Sequence, residues 1–138
     1  RDWGHAKDYV KSMWMMLQQD KADDFVIASG QNFSVREFII KSFKLVGINV
    51  DFKGSGVNET GVITKIINQS DDLKIGQTIV KVDPVYFRPS EVDTLLGDSN
   101  KARTKLKWKP EYDFDSLVQE MVQSDLILAN KEKIINEY

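Results

Sequence analysis

At 138 residues, with 41% hydrophobic side chains, three prolines and eight glycines, the chain has the makings of one folded domain, which excludes collagen-like and disordered classes. Nineteen basic against twenty-one acidic residues leave a formal charge of −2, so there is no cationic track to neutralise a nucleic-acid backbone. With no cysteine and one histidine, disulfides, a thiol nucleophile, cysteine-bound zinc and a multi-histidine metal site are excluded, and a cytoplasmic setting is expected.

The chain opens at Arg1 rather than Met, so a preceding segment of a longer parent is expected. Ala6, Val10, Met13, Trp14 and Leu17 recur at helical spacing, predicting an amphipathic helix from about Ala6 to Gln19 with that stripe, tryptophan and methionines included, turned inward. The apolar run Met13 to Leu17 is far too short to cross a bilayer, and no membrane association is expected. After the polar break Asp20 to Asp24, the run Phe25-Val26-Ile27-Ala28 reads as a buried strand of a parallel sheet. Ser34 and Glu37 have capping-box spacing, predicting a helix with Phe38, Ile39, Ser42, Phe43 and Val46 on one face, closed at Gly47. Three β-rich runs follow, Ile48 to Lys53, Gly61 to Asn68 and Gln77 to Asp83, parted by turns bearing glycine. A short helix is expected from about Asn100 to Leu106, capped by Asp98 or Ser99 and stopped by Pro110. Asp113 or its neighbours would cap a last helix carrying Phe114, Leu117, Val118, Met121, Asp125 and Leu128 on one face, with Asn130 to Tyr138 frayed.

Few motifs carry chemistry. Gly54-Ser55-Gly56 lies between two β runs, where no helix N-terminus would face a phosphate. His5 has no serine or carboxylate at a triad spacing and is read as structural, and Asp23-Asp24 and Asp71-Asp72 as solvated turns. Two segments stand out: Arg1-Asp2-Trp3 ahead of a helix, and Tyr86-Phe87-Arg88-Pro89-Ser90-Glu91. A guanidinium offers forked donors to a phosphate, and a carboxylate three residues on can accept from both hydroxyls of a ribose. On chemistry alone, Arg88 and Glu91 are a nucleotide site or a surface ion pair.

The chain as a whole resembles the C-terminal part of the GDP-mannose 4,6-dehydratase family, among the extended short-chain dehydrogenase/reductases (NAD-dependent epimerase/dehydratases). The resemblance runs through residues 1–10, Asp24 to Ala28, Ser34 to Phe38 and Val82 to Val92, then Leu95 to Asp98 and Trp108-Lys109-Pro110. The Tyr-Phe-Arg-Pro form at 86–89 distinguishes this family from related epimerases. It implies an α/β architecture in which residues 1–138 form the sugar-nucleotide-binding part, with helices around a short parallel strand plus a small β-rich substrate subdomain. It also implies an N-terminal NADP-binding Rossmann domain outside this chain, GDP-mannose as substrate and a homo-oligomeric parent enzyme. By motif position, Arg1 and Arg88 would contact the diphosphate and Glu91 the ribose, while Asp8 would order the helix start and Trp3 would pack. The family reaction is a lyase reaction, an internal oxidation, loss of water and re-reduction yielding GDP-4-keto-6-deoxy-mannose, as in the making of GDP-fucose-type deoxysugars. Its tyrosine and lysine four residues apart have no counterpart here: Met13, Ser90 and Ser116 follow Tyr9, Tyr86 and Tyr112 at that spacing. No catalytic residue is therefore assigned, and these 138 residues alone are expected to be inactive. The alternatives are the same portion of another nucleotide-sugar epimerase or dehydratase, and a noncatalytic interaction module.

Overall fold

The computed structural model describes residues 1–68, 72–88 and 95–136. Helix α1 spans Ala6–Leu17, α2 Val35–Leu45 and α3 Phe114–Asn136; strands β1, β2 and β3 span Ile48–Lys53, Thr60–Ile66 and Thr78–Lys81. The chain divides into two compact units, one made of residues 1–35 and 93–138, the other of residues 36–92.

In the second unit the three strands form one antiparallel sheet in sequence order. Along β1, Ile48 and Val50 point inward while Asn49, Asp51 and Lys53 face out, as expected of a sheet covered on one side. Ile48, Val50 and Ile63 form the buried centre, and Phe43 and Val46 pack against it. Gly47 closes the preceding helix at a φ of +80°, a left-handed conformation that only glycine adopts without strain. At the β1–β2 turn, a Cβ on Gly54 would lie 2.5 Å from the carbonyl oxygen of Asn58, so both space and a positive φ require glycine there.

In the first unit, Ala102, Leu106 and Trp108 are buried together, with Met15 and Met16 of α1 and with Phe25 and Ile27 packed on them. Residues 102–106 make a π-helical turn at the expected place, the Asp98 carboxylate accepting from the Asn100 N–H at 2.9 Å. Asp113 caps α3, accepting from the Ser116 N–H at 2.8 Å.

Three expectations change. The stripe Ala6, Val10, Met13, Trp14 and Leu17 does not face the core of this chain: Trp14 is 62% and Leu17 81% exposed, whereas Asp8 is 3% exposed and Ser12 is buried. α1 thus turns a polar-to-Met face, Asp8, Ser12, Met15 and Met16, toward the body and its apolar stripe away from it. Residues 25–28 belong to no strand ladder among the described residues, and the observed sheet is antiparallel. Finally, α3 does not fray at Asn130 but stays helical to Asn136.

Candidate functional site

The opening segment is anchored by its neighbours. The backbone N–H of Arg1 donates to the Phe33 carbonyl at 2.8 Å, and the Phe33 N–H donates back to the Arg1 carbonyl at 3.0 Å. The Asp2 carboxylate accepts from the Ser29 and Gly30 N–H groups at 3.0 and 3.1 Å. Trp3 donates its indole N–H to Phe33 at 3.0 Å and lies with its ring 6.2 Å from that of Phe114. The expected packing role of Trp3 is observed. The backbone beneath the exposed Arg1 side chain is held by two hydrogen bonds, the first condition for presenting a guanidinium at a fixed place.

Arg88 lies in the other unit, exposed, just past a turn in which the Asp83 carboxylate accepts from Val85 N–H at 2.9 Å and the Asp83 carbonyl from Tyr86 N–H at 3.1 Å. Glu91 lies outside the described residues.

A cavity of about 530 Å³ opens beside the anchored segment, lined among others by Trp3, Ser29, Gln31, Phe33, Arg103 and Tyr112. Its guanidinium was missed in the sequence. Arg103 donates from Nε to Ser99 Oγ and from an Nη to the Ser29 carbonyl, each at 3.0 Å, so it braces the wall of the cavity. Nothing in the spacing of the run Lys101 to Lys105 separates Arg103 from its solvated neighbours; only the approach of Ser29, 74 positions away, does.

His5 is structural, as expected. Its Nδ1 accepts from the Lys7 N–H at 3.1 Å, which places the proton on Nε2, 3.3 Å from Glu120, and its ring stacks on Tyr112 at 3.9 Å. Asp8 plays a different part from the expected one. Instead of ordering its own helix start, its carboxylate accepts from the Glu111 and Tyr112 N–H groups at 3.0 and 3.2 Å, and its carbonyl accepts from the buried Trp108 indole at 3.1 Å.

The described residues hold no cluster of three metal-ligating side chains. They also offer NADP no fingerprint turn: Gly54 to Gly56 leads into a short 3-10 turn between antiparallel strands rather than into a helix N-terminus. No step through that cofactor is therefore assigned to these residues.

Among the described residues, four exposed carboxylates hold their protons less tightly than free side chains do. Lys101 and Lys105 do this to Asp23, Lys11 to Glu111, the Ser116 N–H and hydroxyl to Asp113, and Lys7, with His5 contributing less, to Glu120. Below their ordinary values of 3.8 and 4.5, the unfolded chain takes up protons that the folded chain does not, so folding is disfavoured as pH falls. We expect the thermal midpoint to hold from neutral pH to about pH 5 and then to fall on further acidification, less steeply in 1 M salt, which screens exposed pairs. Thermal melts across a pH series in Glu120→Gln and Glu111→Gln variants check this, since each should flatten the decline.

The family model for GDP-mannose 4,6 dehydratase matches residues 1–121. The chain is 51% identical over 136 residues to a GDP-mannose 4,6-dehydratase of Vibrio cholerae, an alignment covering 98% of this chain and 37% of that protein. It is 50% identical over 128 residues to the human GDP-mannose 4,6 dehydratase, covering 93% of this chain and 32% of that protein. Against the Drosophila melanogaster protein of the same name it is 45% identical over 134 residues, covering 97% of this chain and 32% of that protein. It therefore spans about a third of the length of the curated relatives it matches.

Proposed function

We propose, since the chain belongs to the GDP-mannose 4,6-dehydratase family, that it forms the sugar-nucleotide-binding portion of an enzyme converting GDP-mannose to GDP-4-keto-6-deoxy-mannose. The match over residues 1–121, which takes in the opening Arg-Asp-Trp and the Tyr-Phe-Arg-Pro segment, carries this reading. Within it, Arg1 and Arg88 present forked donors to the diphosphate, and Glu91 accepts from the ribose hydroxyls. The first two atoms of support are local: Arg1 stands on an anchored backbone, and Arg88 is exposed at the end of a turn.

The same reading makes NADP the cofactor, bound by an N-terminal Rossmann domain, and makes the intact enzyme a cytoplasmic homo-oligomer. NADP, when bound, accepts and returns the hydride; binding and orienting the nucleotide is the work left to residues 1–138. Two features favour a missing partner domain. α1 turns an apolar stripe containing Trp14 away from this chain, and a soluble helix exposes such a stripe only where something else covers it. Phe25 to Ala28 form a β-type apolar run outside any ladder described here, suited to pairing in a parallel sheet built by that domain.

Calorimetric titration of the intact protein with GDP-mannose, UDP-glucose and dTDP-glucose tests the assignment. We expect clear preference for GDP-mannose; preference for a uridine or thymidine sugar points instead to another nucleotide-sugar epimerase or dehydratase.

A further inference from the structure

Asp2 follows the guanidinium assigned to the diphosphate by one position, and a carboxylate so close to an anionic ligand works against its binding. Its contacts point to another purpose. One carboxylate oxygen accepts from the Ser29 N–H and the other from the Gly30 N–H, so both are committed to adjacent backbone donors 27 and 28 positions away. Beside it, Arg1 and Phe33 exchange both backbone hydrogen bonds, as directly opposed residues of an antiparallel pair do. Two consecutive residues are thus fixed, one through its backbone and one through its side chain, to the segment 29–33.

That segment is itself held from behind. The Gln31 N–H donates to the Ser29 hydroxyl at 3.1 Å, which closes the turn locally. The Ser29 carbonyl accepts from Arg103, whose Nε donates to Ser99 Oγ, so one planar guanidinium ties the turn to a residue just ahead of the π-helical turn. The connected line runs from Ser99 through Arg103, Ser29 and Asp2 to Arg1, all within the first unit.

We infer that Asp2 is the positioning residue of the Arg1 guanidinium: by clamping the Ser29–Gly30 backbone, braced in turn by Arg103, it holds Arg1 in place for the diphosphate. This rests on the assignment of Arg1 to the diphosphate and deepens it. An arginine gives up conformational freedom when it grips a ligand, and a fixed backbone beneath it reduces what remains to be lost. The diphosphate is unaltered in the reaction, so its contact is equally strong in ground and transition states and is read in KM rather than kcat.

In the intact enzyme, Asp2→Ala should raise Kd and KM for GDP-mannose about tenfold while kcat stays within about twofold, since a displaced donor loses much of its contact. Asp2→Asn should also weaken binding, though less, even as it removes a negative charge; a purely electrostatic role has the opposite sign. The decisive measurement is a double-mutant cycle with Arg1→Ala, followed by calorimetry. Without the guanidinium, Asp2→Ala should bring no further loss, whereas a general loosening of the fold lowers affinity by the same factor in both backgrounds. Arg103→Lys, which keeps the charge but not the fork, is the second variant, with about a threefold loss that also vanishes in the Arg1→Ala background. If Arg1→Ala weakens binding but Asp2→Ala does not, or if the Asp2→Ala loss persists beside Arg1→Ala, the positioning role is overturned and the diphosphate assignment stands. If Arg1→Ala leaves affinity unchanged, that assignment falls and the positioning role with it.

Discussion

Replacing Asp8 by Ala should cost the fold about 3 kcal/mol, read as a lower urea midpoint at unchanged slope. The carboxylate is almost wholly buried and accepts from two backbone N–H groups, those of Glu111 and Tyr112, which lead from the Trp108 core into α3. Truncation to Ala removes two charge-assisted hydrogen bonds and leaves both part-buried donors without their acceptor. Asp8→Asn should recover only part of the loss, because an amide can offer one oxygen to one N–H but turns its own NH2 toward the other. The neighbouring Ser12, also buried, needs no such distant partner, since its hydroxyl donates to the Tyr9 carbonyl at 2.7 Å within the same helix. A loss below 1 kcal/mol in Asp8→Ala would mean that the 108–112 segment is held by Trp108 packing alone.

Arg88→Ala in the intact enzyme should weaken GDP-mannose binding about 10- to 100-fold with little change in thermal midpoint. The side chain is exposed, so the fold does not depend on it, while a guanidinium forked on a diphosphate contributes on the order of 1.5–3 kcal/mol. Arg88→Lys should restore only a fraction, since an ammonium supplies charge without the planar pair of donors. Calorimetry on the three proteins measures this. Affinity equal to that of the parent in Arg88→Ala would shift the segment from the nucleotide to a noncatalytic contact surface.

Much of the local structure was legible before any coordinates. The boundaries of β1, the left-handed Gly47, the helical turn near residue 102 and the Asp113 cap all follow from nearest-neighbour chemistry: alternation, glycine at a helix end, a short polar side chain ahead of a helix. The orientation of α1 was not legible. Periodicity identifies an apolar stripe but not which way it turns, and exposed Trp14 and Leu17 show this one turned away from the body of the chain. On the rule that apolar stripes turn inward, Asp8 would have been placed outward. It is inward because donors at positions 111 and 112 come to it, more than a hundred residues along the sequence.

The candidate site divides in the same way. Arg1, Arg88 and Glu91 were singled out by what the family resemblance implies, since on chemistry alone forked donors and an acidic acceptor fit a nucleoside diphosphate or an ordinary surface ion pair. Arg103 could not be, because its role as a brace exists only once Ser29 and Ser99 are brought to it. Sequence alone thus determined the helices, the three β runs of the second unit, the caps at Asp98 and Asp113 and the family, all properties of short spans and their side-chain chemistry. Tertiary structure alone decided which helix faces are open and which buried polar groups are satisfied, because both depend on groups that chain folding brings together from distant positions.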